Sequence, residues 1–506
     1  MDFTDINVLI EAVQRIVERL RTEEADKAPL LNEVHPQHRE SARNLLHYLT
    51  LRTLDLRELQ GELSSLSISS LGHSEGYTLS NLLKILRLLR MLTGVAADDL
   101  YPDFRSPLDY KTSRQCLRDN ALQLLGQHHR GEGSRIMVTM PSEAAEDYEM
   151  IHGLLLAGMD IARINTSHDS EEDWQRMISN IRRGQETISK HCLIYMDLSG
   201  PKLRTEAVFP AIGKKQHLRL FPGDSLQLVP VAPTTKDKHA LPQVLVTLPE
   251  IFGDSQPGHR IYFDDGKIGG QIISVQADGI EVKITQAAPQ GSKLRAGKGI
   301  NLPDTRLTLP SLTAADRTHL PFIAAHADIV GYSFVRHPAD VADLQAELKQ
   351  LNREDIGIIL KIETKDAFEN LPMLLMTAMR SPKIGVMIAR GDLAVEIGFE
   401  RIAEVQEEIL WICEAAHTPG IWATQVLEKL AKKGNASRAE ITDAAMAARA
   451  ECVMLNKGPF IVNAVATLDD IIRRMEKHQF KRKSNLRPLG VARQFYLQTN
   501  MQNEAE

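Results

Sequence analysis

The chain has 506 residues, a length that accommodates two or three domains, each with its own hydrophobic core. An apolar content of 43% and a charged content of 25% are typical of a soluble globular enzyme. The formal net charge of −6 provides no basic field, which argues against DNA or RNA as the main partner.

The chain begins with MDFTDINVLI, an acidic stretch that lacks the basic residues of a signal peptide. No apolar run reaches the roughly 18–20 residues that a membrane span requires. The four cysteines, Cys116, Cys192, Cys413 and Cys452, lie far apart, so we expect neither a disulfide framework nor a structural zinc site. Together these features predict a cytoplasmic protein.

Residues 1 to about 130 carry the periodicity of amphipathic helices. In INVLIEAVQRIVERL, which begins at Ile6, apolar residues recur every three or four positions, as one face of a helix requires. A leucine-rich region, LLHYLTLRTLDLRELQGELSSLSISSL, superficially resembles a leucine-rich repeat, but one copy cannot form a solenoid, which needs about three units. We therefore expect a helical extension over 1–130 that packs on another part of the chain, with a boundary in the polar stretch 126–134.

Short apolar runs alternate with helical patterns beyond residue 134. Eight such runs predict a parallel α/β fold, and the count of eight favours a closed (β/α)8 barrel. The runs are almost continuously apolar, as strands buried on both faces are. The predicted strands are 135–140, 160–165, 192–198, 327–334, 356–363, 384–390, 420–425 and 451–456.

One interval breaks this alternation. Between 198 and 327 the chain is rich in Val, Gly and Pro, as in RIYFDDGKIGGQIISV, and is too long for a single helix. We predict a small all-β domain at 205–303, inserted after the third strand, which divides the barrel into 134–204 and 304–477. The polar tail, 478–506, is expected to be extended or loosely attached.

Polar residues end or directly follow five of the predicted strands. In barrels of this kind catalytic groups lie at the carboxyl ends of the strands, so we expect these side chains to converge on a single mouth. In strand order they are Arg163, Asn165, Ser167 and His168; Asp197, Lys202 and Arg204; Lys361 and Glu363; Arg390 and Asp392; and Thr424 and Gln425.

The chemistry of this set is coherent. Glu363 and Asp392 offer two hard oxygen ligands, which suit Mg²⁺ or Mn²⁺ bound partly through substrate. Lys361, Arg163 and Arg204 offer the positive charge that phosphoryl transfer requires. The sequence has no Cys or His cluster, no evident Ser-His-Asp order and no Walker A motif. These patterns predict a divalent-metal barrel that acts on an anionic substrate.

Each of these features also has a structural interpretation, and the residues alone do not decide between the structural and the functional role. Single charged residues at strand ends are commonly solvated or ion-paired, and Lys361 and Glu363 would also simply flank a core isoleucine. The run SRAE, Ser437 to Glu440, fits a helix capping box. The run DDG, residues 264–266, is first of all a turn sequence. His168 taken alone would more often be structural.

The sequence resembles the pyruvate kinase family. The stretches that carry the resemblance, in the family's order, are DIARINTSH, MDLSGPKLRT, DDGKI, GKGINLP, ILKIET, VMIARGDLAVEIG, ATQVLEKL and SRAEITDAAMA. They span about 134–475, and so many ordered motifs make the resemblance specific. It implies a (β/α)8 barrel with an inserted β-barrel lid. It also implies a glycolytic phosphotransferase that uses Mg²⁺ or Mn²⁺ to move a phosphoryl group from phosphoenolpyruvate to ADP, giving pyruvate and ATP.

The resemblance also implies a role for each matched residue. Lys361 and Arg163 would neutralise the phosphoryl group from opposite sides, and Thr424 would lie near the carbon that gains a proton. Gly391 would donate its backbone N–H to the substrate carboxylate. The implied sets are Lys361, Thr424 and Arg163 for catalysis; Gly391, Asp392, Thr424 and Arg163 for substrate; Arg204, His168, Lys298 and Asp265 for the nucleotide; Glu363 and Asp392 for the divalent ion; and Asn165, Ser167 and Asp197 for a monovalent ion.

The sequence departs from the family pattern in four ways. Lys202 occupies a position that is glutamate in potassium-dependent members, so we expect its ammonium to replace K⁺ and no obligatory K⁺ requirement. The usual Ser-Gly-Glu-Thr after the eighth strand is Asn456 to Pro459, NKGP, which puts the protonation step in question, and Ala394 replaces a usual glycine. The family's C-terminal domain is not matched, so we expect no sugar-phosphate activation and favour a homodimer over a tetramer.

Two other functions remain open. The NKGP replacement is compatible with a relative that keeps the metal and enolate chemistry but runs a different reaction. The unmatched helical extension is compatible with a non-catalytic sensor of phosphoenolpyruvate. Against a sensor, the whole transfer set of Lys361, Glu363, Asp392, Arg163 and Thr424 is present.

Overall fold

The computed structural model describes residues 6–69, 71–93, 108–128, 130, 133–210, 217–233, 241–475 and 488–503. Parts of the predicted extension, of the boundary at 126–134, of the inserted domain and of the tail therefore lie outside the described residues.

The N-terminal extension is helical, as predicted. The first helix buries Leu9, Val13, Ile16, Val17 and Leu20, which all lie on the apolar face read from the sequence. They pack with leucines of the next helices in a core of their own. The helices are α1 Ile6–Asp26, α2 Ala28–Asn32, α3 Arg39–Leu51, α4 Arg57–Ser65, α5 Thr78–Leu92 and α6 Tyr110–Leu125.

Eight parallel strands close into a barrel, which confirms the predicted fold class. Every predicted strand is present, and its central residues are buried because both of its faces are covered. The strands are β1 Arg135–Thr139, β2 Ile161–Asn165, β3 Leu193–Asp197, β13 Ile329–Tyr332, β14 Gly357–Ile362, β15 Ile384–Ala389, β16 Gly420–Ala423 and β17 Cys452–Leu455. The helices around them are α7 Tyr148–Ala157, α8 Glu171–Ile188, α10 Ala314–His326, α11 Pro338–Gln350, α12 Lys365–Glu369, α13 Leu371–Ala378, α14 Arg390–Ile397, α15 Ile402–Ala415, α16 Glu428–Lys433, α17 Arg438–Ala447 and α18 Ile461–Met475.

The amino-terminal end of the barrel is plugged by the last turn of α6. Leu124 and Leu125 join the cluster of side chains that fills the barrel interior. Two strand glycines, Gly357 and Gly385, make room for Leu124, since a Cβ on either would lie 2.6 Å from one of its methyl groups. With this end filled, the carboxyl ends of the strands are left to form a site.

A second set of strands lies between β3 and β13, where the sequence predicts an insertion. Seven of them form one sheet in the order β12-β8-β9-β10-β6-β7-β4, and β11 pairs with β5. They enclose a separate core that includes Leu226, Ile261, Phe263 and Val282. The domain limits of 205 and 303 themselves stay predictions. The elements are β4 Thr205–Phe209, β5 His217–Leu220, β6 Ser225–Val229, β7 Gln243–Val246, α9 Ile251–Asp254, β8 Arg260–Phe263, β9 Ile268–Gln276, β10 Gly279–Gln286, β11 Ser292–Arg295 and β12 Ile300–Asn301.

The prediction of an extended or loosely attached tail is wrong for its described part. Residues Gly490–Asn503 form helix α19, which packs against α12 and α13. Val491, Ala492 and Phe495 are buried, and they recur at helical spacing within a composition that is polar overall. The tail is therefore anchored by a short apolar stripe that its average polarity conceals.

None of the helices in the described ranges combines the length and the apolar character needed to cross a bilayer.

His417 joins the extension to the barrel. Its ring is buried, its Nε2 lies 2.9 Å from the carbonyl oxygen of Gly76, and its Nδ1 lies 3.0 Å from the hydroxyl of Ser41. Because a carbonyl only accepts, Nε2 carries the proton and Nδ1 accepts from the serine. Burial lowers the pKa of His417 to about 4, so the ring is neutral at pH 7.

This buried histidine predicts a loss of stability in mild acid. Between pH 6.5 and 4 the unfolded chain binds a proton that the folded chain excludes, so stability is full above that window and falls as pH falls through it. We expect the free energy of unfolding to drop by about 2 kcal/mol more from pH 7 to pH 5 in the unmodified protein than in His417→Gln. Urea unfolding at both pH values measures the difference, and equal drops would contradict the assignment.

Candidate active site

Asp197 lies at the centre of the charged residues at the barrel mouth. It ends β3 with 1% of its surface exposed, and its Oδ2 accepts from Arg163 Nε at 2.6 Å. Its Oδ1 accepts from the Tyr195 hydroxyl at 2.7 Å and lies 3.5 Å from Lys361 Nζ. Burial alone would raise the pKa of Asp197, but Arg163 and Lys361 more than offset it and hold the pKa below its usual value. Asp197 is therefore a permanent anion that holds two cations side by side.

Lys361 is held by three oxygen atoms. Its side chain leaves the end of β14 and is almost fully buried. The ammonium donates to Ser333 Oγ at 2.6 Å and lies 3.2 Å from Glu363 Oε1 and 3.5 Å from Asp197 Oδ1. Its position is therefore fixed by contacts from β13, β3 and its own strand.

Glu363 and Asp392 form an acidic pair next to this lysine. Burial raises the pKa of Glu363, and nearby Asp392 adds to the shift despite the opposing field of Lys361. Glu363 Oε2 accepts from the backbone N–H of Phe334 at 2.7 Å. A buried carboxylate whose charge is disfavoured in this way is well suited to bind a cation.

The ammonium of Lys202 forms an ion pair with Asp392, the second carboxylate of the acidic pair. Lys202 Nζ is 2.9 and 3.0 Å from the two oxygens of Asp392. Burial disfavours the charge of Lys202, but Asp392 overcomes this and raises the pKa of the lysine. Lys202 therefore pairs with Asp392, and the replacement of a monovalent ion by its ammonium stays a prediction.

The acidic pair fits a hard divalent ion that takes its other ligands from elsewhere. In the described part of the chain no three His, Cys, Asp or Glu side chains form a metal-binding group. A small number of carboxylate ligands is typical of Mg²⁺, which keeps several waters and substrate oxygens among its ligands. Glu363 and Asp392 would hold such an ion only together with a substrate.

The residues that follow β15 and β16 are locked together. Gly391 donates its backbone N–H to Thr424 Oγ1 at 2.9 Å. Arg390 donates to the carbonyl of Ala423 at 3.1 Å and forms a two-pronged ion pair with Asp443 of α17. Thr424 and Gln425 adopt φ angles of 65° and 57°, a left-handed conformation that costs a non-glycine residue energy. Arg390 thus has a structural role, and it stabilises the turn that presents Thr424.

The predicted nucleotide residues lie on the rim, where the lid meets the barrel. Burial, together with the charges of Lys457 and Arg204, lowers the pKa of His168. Arg204 sits at the base of the lid and donates to the carbonyl of Gly297, at 3.4 Å. Lys298 Nζ pairs with Asp264 Oδ1 at 2.9 Å. The positive charges of Arg204 and Lys457 therefore both act on the ring of His168.

Asp265 lies in the lid turn predicted from the run DDG. Asp264, Asp265 and Gly266 have φ angles of 53°, 56° and 80°, three left-handed residues in succession. A Cβ on Gly266 would approach the ring of Phe399 at 3.0 Å, so this turn rests on the barrel. The turn interpretation is correct, and Asp265 is held next to the rim.

The polar groups of the predicted monovalent-ion residues, Asn165, Ser167 and Asp197, are largely engaged in contacts within the protein. Asn165 Oδ1 accepts from the backbone N–H of Ser167 at 3.1 Å, and Thr166 donates its hydroxyl to the carbonyl of Asp197. The carboxylate of Asp197 is already bound by Arg163 and Tyr195.

The capping interpretation of Ser437 is confirmed, since Ser437 and Glu440 form a reciprocal capping box at the start of α17.

Sequence reasoning missed four residues that support this site. Ser333 and Phe334 contact Lys361 and Glu363 from the end of β13, and Asp443 anchors Arg390. Thr139, which ends β1, accepts from Arg163 at 2.8 Å. Ser333 and Thr139 carried a usable signal, because each is a polar residue at the carboxyl end of a predicted strand. Asp443 carried none, since a helix aspartate is ordinarily solvated.

Comparison with known proteins finds similarity to pyruvate kinases, both in a family model and in individual proteins. A family model described as the pyruvate kinase barrel domain matches residues 132–465. Pyruvate kinase of Bacillus licheniformis is 32% identical over 342 residues, covering 66% of this chain and 56% of that protein. Pyruvate kinase PKLR of Homo sapiens is 35% identical over 353 residues, covering 67% and 59%. Pyruvate kinase of Staphylococcus aureus strain USA300 is 32% identical over 348 residues, covering 67% and 56%.

The matched region leaves a large part of each protein unmatched. The chain spans somewhat more than half the length of the curated relatives it matches. The helical extension lies outside the family match, which begins at residue 132.

Proposed function

Since the chain belongs to the pyruvate kinase family, we propose that it transfers a phosphoryl group from phosphoenolpyruvate to ADP, giving ATP and, after uptake of one proton, pyruvate. The proposal includes Mg²⁺ or Mn²⁺ as cofactor and a place in glycolysis in the cytoplasm. The observation that carries it is the position of Lys361, an almost buried ammonium beside Arg163 and the Glu363–Asp392 pair.

Lys361 and Arg163 share Asp197 as counterion, so both cations are fixed before substrate arrives. A phosphoryl group between them would meet preorganised positive charge in a largely water-free site, where such charge is most effective. Neither cation has to reorganise while charge develops on the transferring oxygens. This arrangement favours transfer rather than binding alone.

A divalent ion held by Glu363 and Asp392 supplies further positive charge to enol and carboxylate oxygens when it is bound. Lys202 now lies on Asp392 and would share that carboxylate with the ion. Its ammonium keeps one positive charge permanently near the acidic pair.

Thr424 is suited to relay the proton that completes pyruvate, because its hydroxyl would pass a proton to the enol carbon and take another from water. Its hydroxyl accepts from Gly391 N–H, which leaves the hydroxyl proton directed elsewhere. A substrate carboxylate bound at Gly391 N–H would take over that contact and free the hydroxyl oxygen as well. The left-handed turn at Thr424 keeps the group in place during this exchange.

The acceptor diphosphate would bind on the rim. Arg204 and Lys298 would supply positive charge to the diphosphate, and His168, whose pKa is lowered, would contact it as a neutral ring. The turn that holds Asp265 would close the lid over it. Lys298 would have to exchange its contact with Asp264 for one with the nucleotide.

We expect activity without K⁺ because Lys202 carries the required charge. The unmodified protein should keep full activity in sodium-free tetramethylammonium buffer. Lys202→Glu should lose at least about 10-fold there and recover with added K⁺, because a carboxylate replaces the ammonium next to Asp392. The control is Lys365→Glu, an exposed lysine at the start of α12. Strict K⁺ dependence of the unmodified protein would contradict the prediction.

The test of the function is a coupled assay of purified protein with phosphoenolpyruvate, ADP and Mg²⁺. Pyruvate formation that depends on all three components supports the proposal. Mg²⁺-dependent binding of phosphoenolpyruvate without pyruvate formation would reject it in favour of an altered reaction or a sensor.

A further inference from the structure

We propose that Ser333 positions Lys361 for phosphoryl transfer, and that the turn Ser333–Phe334 holds Lys361 and Glu363 in register with each other. Ser333 is a positioning residue in this proposal, since it acts through Lys361. The inference rests on the proposed function.

The hydroxyl of Ser333 is the shortest contact of the Lys361 ammonium. Ser333 is 2% exposed, and the 2.6 Å between its Oγ and Lys361 Nζ is shorter than the 3.2 and 3.5 Å to the carboxylates of Glu363 and Asp197. A neutral acceptor placed closer than two anions fixes the direction of the ammonium without neutralising it. The Ser333 hydroxyl thus orients the ammonium without adding a third negative charge beside it.

The next residue holds the metal-site carboxylate. Phe334 donates its backbone N–H to Glu363 Oε2 at 2.7 Å and has a φ of 54°, which is left-handed and unusual for a bulky residue. Its carbonyl accepts from the Ser311 hydroxyl at 2.8 Å. A Cβ on Gly200 would meet the Phe334 ring and the Ser333 carbonyl at 3.0 Å, so the turn is closely packed on that side.

One strained turn therefore contacts the proposed phosphoryl-binding lysine through a side chain and the proposed metal ligand through its backbone. Strain of this kind persists where surrounding contacts determine it, and it concentrates at functional sites. Without the Ser333 hydroxyl, the two carboxylates would draw the ammonium of Lys361 toward themselves and away from the transferring group.

The test compares Ser333→Ala, Ser333→Thr and the control Ser134→Ala. Ser134 is also a buried serine whose hydroxyl bonds to carbonyls, but it lies at the opposite end of the barrel. We expect kcat of Ser333→Ala to fall about 10- to 100-fold with KM for ADP unchanged, since misplacement by about 1 Å has effects of this size. Ser333→Thr should recover most of the loss. An unchanged kcat in Ser333→Ala, or an equal loss in Ser333→Thr, would overturn the inference.

A crystal structure of Ser333→Ala separates this inference from the proposed function. If the unmodified protein forms no pyruvate, the proposed function fails, but Lys361 Nζ should still move by about 1 Å toward Glu363 or Asp197 in the variant. An ammonium that stays in place would overturn the positioning role, whatever reaction the site performs.

Discussion

Replacing Lys361 by methionine is expected to lower kcat for pyruvate formation by about 10³-fold, with KM for ADP changed less than about twofold. The ammonium is nearly buried beside Asp197 and Glu363, so its charge acts in a site that excludes most water. A charge placed in this way stabilises a transition state far more than a solvated one, because it is not screened. The proposed nucleotide residues lie on the rim, and for that reason ADP binding should be affected little.

The matched control is Lys365→Met, a lysine four residues along the chain whose side chain is half exposed at the start of α12. It should leave kcat unchanged. Because Lys361→Met leaves two buried carboxylates without their shared cation, its stability has to be measured as well. A folded Lys361→Met that keeps more than a tenth of the normal kcat would argue against transfer through this lysine.

The barrel could be predicted from the sequence because its strands are buried on both faces. Such strands appear as short, uniformly apolar runs, and all eight runs coincide with strands of the closed barrel. Helix α19 could not be predicted from composition. Its buried apolar residues, Val491, Ala492 and Phe495, are few, and they make a stable helix because α19 packs against the rest of the chain, including α12 and α13.

The sequence predicted which residues lie at the barrel mouth better than it predicted which of them contact each other. Glu363 and Asp392 could be expected at the same mouth because they follow neighbouring strands, and their role as metal ligands stays a prediction. The pairing of Lys202 with Asp392 joins residues 190 positions apart, and only the folded chain brings them together. Sequence reasoning assigned Lys202 to a monovalent-ion role without revealing its contact with Asp392, the proposed divalent-ion ligand.

Replacing Asp392 by asparagine is expected to weaken divalent-ion binding at least about 100-fold and to abolish transfer at millimolar Mg²⁺. The substitution keeps the size of the side chain but removes one of the two negative charges of the acidic pair. Binding of Mn²⁺ in the presence of phosphoenolpyruvate, followed by electron paramagnetic resonance, measures the effect without relying on turnover. An unchanged Mn²⁺ affinity would remove Asp392 from the metal site.

Two further variants distinguish loss of a metal ligand from other effects of the substitution. Glu396→Gln changes a carboxyl group one turn further along α14 that Asn301 contacts, and burial raises the pKa of Glu396 to about 7. Glutamine imitates its protonated form, so Mn²⁺ affinity should stay within about twofold. Lys202→Met removes the ammonium that contacts Asp392, and it should strengthen Mn²⁺ binding because the ion no longer competes with an ammonium. Weaker binding in Lys202→Met would mean that the lysine helps to assemble the metal site rather than sharing its carboxylate with the ion.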